Sequence, residues 1–328
     1  MPIQVPASLL RRRSLLSWPL ALALPGLAQA QVETLAIVGK DNYIFAGWGS
    51  DVPDPKGIDA TVARVAEVRK LLAARGVTLI VPVIPDKMAF YEDKLPDGKT
   101  MSPAMRARYA TILGKLQAAD VPTFDGMATL RAVQAAGQQV FYRTDQHWAQ
   151  PGADATAQAT ADLIRQLVPN LAGKPGTGMA LGAVSNERRF GDLADRFLSP
   201  EQRRAAGREI FTVRRQTESD NLLGDNPAPV HVTGNSMVQP YFGFPQKLSN
   251  LIDRPVSVNW KAGDVGFWLI LLDYIESAEF RRVPPQVLVW QLFEPNFHLG
   301  PDARGLWDAA SIVSDSDWSR RLKAALAA

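Results

Sequence analysis

The chain reads as a three-layer α/β/α fold built on a mainly parallel sheet, and three observations predict it. Short apolar stretches alternate with helical patterns along most of its length. Runs such as Val77–Ile84 and Gln286–Leu292 are almost continuously apolar, as strands buried on both faces are. No repeat or linker breaks the alternation, so residues 31–300 read as one domain, with a helical tail over 301–328.

The elements follow in order. Residues 36–45 form a β-hairpin, two apolar runs around a Gly39-Lys40-Asp41-Asn42 turn. A helix is predicted over Ile58–Arg75, where Val62, Val65, Val68 and Leu72 share a face and Gly76 ends it. The Val77–Ile84 strand leads into a lysine-bearing loop, Pro85-Asp86-Lys87. Ser102-Pro103 opens a helix that runs to Ala119. Val121–Phe124 is a short strand, 126–136 a helix, Gln139–Tyr142 a strand and Pro151–Leu167 an alanine-rich helix. Residues 169–186 are a Gly/Pro-rich loop, followed by a charged segment over 201–208 and a strand over Glu209–Arg214. Then come a strand at Pro229–Thr233, a helix within 239–252 confined to its later part by Pro240 and Pro245, a strand at Pro255–Trp260, a helix over Phe267–Glu279 and the last core strand. The tail from Gly305 to Ala328 reads as a helix packed on the outside.

At 328 residues, 46% apolar and 21% charged, the chain can bury a full core. Its formal charge of +3 comes from residues 1–30, which carry Arg11, Arg12 and Arg13 and no acid. The remainder is neutral, which gives a nucleic-acid partner no electrostatic support. The three arginines precede an apolar run from Leu15 to Ala28, and Ala28-Gln29-Ala30 supplies a small-x-small cleavage pattern. Residues 1–30 therefore read as an export signal to the periplasm, loosely of the twin-arginine type. The alternative is an uncleaved anchor holding the protein peripherally at the inner membrane. There is no cysteine, which excludes disulfides and thiolate chemistry. The only histidines are His147, His231 and His298, and their scatter gives no metal site. No phosphate-binding glycine loop is present, and no cofactor is expected.

Two stretches carry the chemistry. Thr144-Asp145-Gln146-His147-Trp148 offers a carboxylate and an imidazole two residues apart, which in extended chain point to one side. Such a carboxylate accepts the Nδ1 proton, fixes the tautomer and steadies the imidazolium. Thr233-Gly234-Asn235-Ser236 sets a serine in a tight turn after an apolar strand. There its own N–H, with the amide of Asn235, has the makings of an oxyanion hole. The bland readings are a solvated turn and a helix-capping serine. Gly234, Asn235, Arg143 and Trp148 complete the candidate oxyanion and substrate set, although most of the tryptophans read as core. His231 reads as packing beside the site and His298 as a surface residue.

On these residues the chain resembles the SGNH-hydrolase-like domain of the alginate O-acetyltransferase family, of the AlgJ and AlgX type. The matching stretches are residues 39–45, 83–87, 142–148, 191–193, 234–236 and 287–290. The resemblance implies Ser236 as nucleophile, His147 as base and Asp145 as its orienter, with the Asp-x-His preceding the serine as it does in that family. The usual Gly-Asp-Ser-type turn is Gly-Asn-Ser here, and the stretch after residue 300 is too short for the separate carbohydrate-binding domain of longer relatives. The function so implied is acetyl transfer to an exported polysaccharide, with a membrane-bound acyltransferase as donor. A carbohydrate acetylesterase and a non-catalytic scaffold of a secretion complex are the alternatives.

Overall fold

The computed structural model describes residues 35–48, 53–214 and 227–327, so the export signal read in residues 1–30 lies outside the described residues. The centre is a four-stranded sheet in the order β3 (Thr78–Ile80), β9 (Val287–Trp290), β7 (Val230–Gly234), β8 (Val256–Trp260), with every pairing parallel. Alternation along β9 explains the layers. Val287 and Val289 point into one core, Leu288 and Trp290 into the other. On the first side lie α4 (Gly126–Ala135), α5 (Gln150–Leu167) and α8 (Phe244–Ile252). On the second lie α1 (Pro55–Ala74), α3 (Pro103–Ala118), α9 (Phe267–Ile275) and α11 (Asp315–Ala327). This is the predicted three-layer arrangement.

Local chemistry sets the helix starts. Asp54 accepts from Gly57 N–H and Ser102 from Met105 N–H, each followed by a proline at the first helical position. In α5 the residues Ala153, Ala157 and Ala161 are fully buried at four-residue spacing, a smooth stripe facing the first core.

Three predicted strand segments differ in the structure. The Val77–Ile84 run splits at Pro82 into β3 and β4 (Val83–Ile84), the latter pairing with β10 (Leu292–Phe293). Residues 121–124 run beside Val81, which donates to the Pro122 carbonyl, but Pro122 has no N–H to continue a ladder and no strand forms. Residues 139–142 also stay out of the sheet. Phe141 bridges Trp148 instead, and Tyr142 and Ala149 N–H donate to His147 and Val140 carbonyls, closing a small loop.

The end of the predicted 169–186 loop joins β5 (Val184–Arg189), antiparallel to β6 (Glu209–Arg214), with α6 (Asp192–Phe197) and α7 (Pro200–Ala206) between them. The helix expected within 239–252 begins at Phe244, after two 3-10 turns. The one expected to reach Glu279 stops at Ile275, and α10 (Ala278–Arg282) follows. The N-terminal hairpin pairs β1 (Ala36–Val38) with β2 (Ile44–Ala46), and α2 (Lys87–Phe90) is a single turn after β4. No helix among the described residues is long and apolar enough to cross a membrane.

The tail is helical only from Asp315, and that helix is no outer ornament. Trp318 and Leu322 are fully buried, and the Trp318 ring meets Trp268 of α9 edge-on at 5.0 Å. Trp318→Ala is therefore expected to lower folding stability by about 3–5 kcal/mol, the scale of buried aromatic truncations. Urea unfolding measures it, and a loss well under ~1 kcal/mol would place α11 outside the core.

Candidate active site

Ser236 lies just past the C-terminal end of β7, where open α/β sheets build their sites. Gly234 ends the strand against Gln291. A side chain on Gly234 would collide with the Gln291 amide, which accepts the Asn235 N–H at 3.2 Å. Asn235 caps the 3-10 turn by accepting the Met237 N–H at 2.9 Å. Ser236 is the first residue of that turn, so its N–H belongs to the unpaired donor set of a helix start.

The two stretches meet. Asp145 Oδ1 stands 2.6 Å from His147 Nδ1, and His147 Nε2 stands 2.7 Å from Ser236 Oγ. The i, i+2 spacing works differently from the extended-chain expectation. The segment bends, and Asp145 Oδ1 also accepts the backbone N–H of His147 at 2.8 Å, an Asx turn that presents ring and main chain to one carboxylate. The His147 ring stacks on Phe242, centroids 4.3 Å apart.

A second acid, which the sequence reading did not place in the site, completes the group. Asp192 opens α6, and its N–H donates to Asp145 Oδ2 at 2.8 Å. Its own carboxylate accepts from Gln146 N–H at 2.8 Å and reaches 3.6 Å from His147 Nδ1. The only sequence signal was its place in the Gly191-Asp192-Leu193 stretch. Gly191 is required there because a side chain would run into the Thr144 carbonyl.

These contacts set the charges. Burial acts to raise Asp145, but the His147 charge and the hydrogen bonds from His147 and Asp192 hold it well below the usual carboxylate range. Burial acts to lower His147, and the charges of Asp145 and Asp192 outweigh it, leaving the imidazole raised. Asp192 is pushed up to about 7, by burial first and by Asp145 next. The ligating atoms of Asp145, His147 and Asp192 lie within 4.8 Å of one another, a spacing a metal ion would accept. Both His147 nitrogens are already committed, to Asp145 and to Ser236, so the cluster is built for proton handling.

The remaining candidates separate. Trp148 is fully buried and stacked on Phe244, so it is a core residue with no face for substrate. Arg143 spends its guanidinium on the carbonyls of Asn42 and Ala206 and ties the hairpin to the loop rather than facing Ser236. His231 bonds Ser257 and Asn259 and stacks on Tyr274, and burial lowers it to about 4, so it is a neutral core residue. His298 is half-buried, its carbonyl against Gly57 at the start of α1.

A cavity of about 200 Å³ opens at Ser236 and His147, walled by Trp48, Phe197, Met237 and Leu306. Asp192 and Arg196 form its border with a second cleft of about 480 Å³, lined by Arg188, Arg189, Phe190 and Arg208.

Residues 36–294 match the family model described as SGNH hydrolase-like domain, acetyltransferase AlgX. The probable alginate O-acetylase AlgJ of Pseudomonas fluorescens is 26% identical over 301 residues, spanning 88% of this chain and 73% of its own. Its counterpart in Pseudomonas aeruginosa is 28% identical over 305 residues, 88% and 75% of the two chains. Among solved structures, the O-acetyltransferase domain of Pseudomonas putida AlgJ superposes with a TM-score of 0.72 at 24% identity, over 88% of this chain and 99% of that one. Pseudomonas aeruginosa AlgX superposes at 0.54 and 18% identity, over 88% and 66%, and both likenesses are of fold. With most of its length covered by the family model, the chain belongs to the SGNH-hydrolase-like acetyltransferase family of the AlgX type.

Proposed function

We propose that this protein is an exported polysaccharide O-acetyltransferase that carries the acetyl group on Ser236. The observation that carries the reading is the unbroken chain from Asp145 through His147 to Ser236, at 2.6 and 2.7 Å. Ser236 Oγ attacks the acyl carbonyl of the donor while its proton passes to His147 Nε2. The imidazolium, steadied by Asp145, returns that proton to the departing group. A sugar hydroxyl then attacks the acetyl-serine, giving its proton to Nε2, and Ser236 leaves as the alcohol. The oxyanion in each step faces the Ser236 N–H and the Asn235 side-chain amide, whose oxygen is already taken by Met237.

The relatives named for alginate favour a carboxylated polysaccharide as acceptor. The arginine cleft adjoining the catalytic cavity is consistent with that chemistry, although the mature chain as a whole is neutral. A membrane-bound acyltransferase as donor and a periplasmic setting complete the proposal, the first carried by the family resemblance and the second by the signal read in residues 1–30.

Ser236→Ala should lower acetyl transfer by a factor on the order of 10³ or more with the fold unchanged. Intact-mass measurement should show an acetyl adduct on the native protein that the variant lacks; equal activity in the two would leave only a scaffold. Acetylated oligosaccharide as the main product supports a transferase, and free acetate alone an esterase.

His147 acts as a base only when neutral, and its pKa is raised, so activity is lost as pH falls through that raised value. Asp192→Asn removes one of the charges that raise it and should move the acid limb of kcat/KM to lower pH. An Arg188→Ala, Arg208→Ala double variant should raise KM for a uronate oligosaccharide about threefold or more while leaving hydrolysis of a neutral aryl acetate unchanged.

A further inference from the structure

Lys87 is a buried charge near the triad that the mechanism does not use. It is 1% exposed and sits in the single turn after β4. Its ammonium donates to the carbonyls of Ile44 at 2.6 Å, Arg143 at 2.8 Å and Asp145 at 3.0 Å, which uses all three of its N–H donors. The rings of Phe45 and Tyr43 lie over it at 5.3 and 5.9 Å. Glu209, at the start of β6, takes the amide side of the same stretch. Its carboxylate accepts from Arg143 N–H at 2.8 Å, from Thr144 N–H at 2.6 Å and from the Thr144 hydroxyl.

We propose that Lys87 is a positioning residue of the triad, gripping the carbonyl side of residues 143–145 while Glu209 grips the amide side, so that the two together fix where Asp145 meets His147. The inference rests on the triad reading above. Its physical ground is that the 143–147 loop lies outside the central sheet, so sheet pairing does not fix its position. Backbone bonds from Ile44 N–H to the Arg143 carbonyl and from Ala194 N–H to the Thr144 carbonyl hold its first residues, and side-chain charges from β4's exit and from β6 add to them. A small displacement of a reacting group costs catalysis far more than it costs stability.

Lys87 also carries a signature of its own. Burial lowers it to about 8, against the opposing pull of Glu209, Asp145 and Asp192 and with a smaller push from Arg143. The neighbouring Asp86 carboxylate is turned to Arg108. The ammonium grip is therefore complete below that pH and loses a donor as pH rises through it. A lysine with a lowered folded pKa gains folding stability over the same rise, because the unfolded chain then holds the extra proton. Activity and the Lys87 contribution to stability thus move in opposite directions above about pH 8.

The test is kcat and KM for 4-nitrophenyl acetate from about pH 6 to about pH 10 on the native protein, Lys87→Met, Glu209→Gln and Ser236→Ala. Native kcat should fall above about pH 8 without unfolding. Lys87→Met should lower kcat at neutral pH about tenfold or more, keep KM within about twofold and lack the alkaline fall. Glu209→Gln removes a charge that holds the lysine protonated, so its alkaline limb should begin at lower pH. A folded Lys87→Met with native kcat, or one that retains the alkaline limb, overturns the proposal. If Lys87→Met does not fold, the Glu209→Gln limb decides: a shift to lower pH supports the grip and an unmoved limb ends it. If Ser236→Ala keeps native activity, the triad reading itself has failed, and that outcome differs from all the others.

Discussion

The site depends on keeping one carboxylate charged with no access to water. Asp145 is fully buried, and an uncompensated charge there would cost several kcal/mol. Its neighbourhood is the compensation. Oδ1 takes the His147 ring and main chain, Oδ2 takes the Asp192 N–H, and Arg189 stands 3.9 Å away. The Asp-x-His spacing follows from this requirement, because only the residue two positions on can offer its N–H in an Asx turn and its ring to the same oxygen. The buried charge therefore selects the local backbone, and the backbone in turn aims the imidazole at Ser236.

The next shell obeys the same logic with alternating sign. Lys87 and Glu209 lie on opposite sides of the loop that carries Asp145, one on carbonyls and one on amides. Farther in, Arg108 is fully buried between Asp86 and Glu294, and Glu294 accepts the Asp86 N–H. Burial pushes Glu294 up to about 7, with Arg108 pulling the other way. This network joins the ends of β4 and β10, so the turn bearing Lys87 is itself anchored at the sheet's edge. A polar network of this kind specifies one arrangement only if its members are satisfied, and here the charges pair in sequence from the sheet outward.

How much of this was legible in the sequence depended on which force set each part. The strand β9, with partners on both sides, announced itself through an unbroken apolar run, because burial of both faces writes itself into composition. Pairing is a tertiary property, so residues 139–142 looked like a strand and instead folded back on Trp148. The meeting of Asp145, His147 and Ser236 was legible because Asp-x-His and Gly-Asn-Ser are short and chemically unusual. Asp192, Lys87 and Glu209 were not, since their partners lie 43 to 66 residues away and mostly on backbone atoms that carry no sequence signal. Trp148 and Arg143 misled for the opposite reason. Lying beside Asp145 and His147 in sequence says nothing about which way a side chain turns, and these two face the core and the hairpin.

Ser236 and His147 are held by different means. Ser236 is placed by the sheet, two residues past β7 and next to Asn235, whose N–H donates to Gln291. His147 rides on a loop outside the sheet, placed by hydrogen bonds and buried charges. What brings the two frames into register is the segment after the serine. Phe242, six positions on, stacks on the His147 ring and also packs near Tyr142 at 6.3 Å. The ring and the hydroxyl are thus gauged from one short stretch of chain, 236–242, whose 3-10 turns and left-handed Gly243 give it a fixed course into α8. Chain order is then free to put Asp145 and His147 before Ser236, since such a constellation needs its atoms in line and not its residues in sequence.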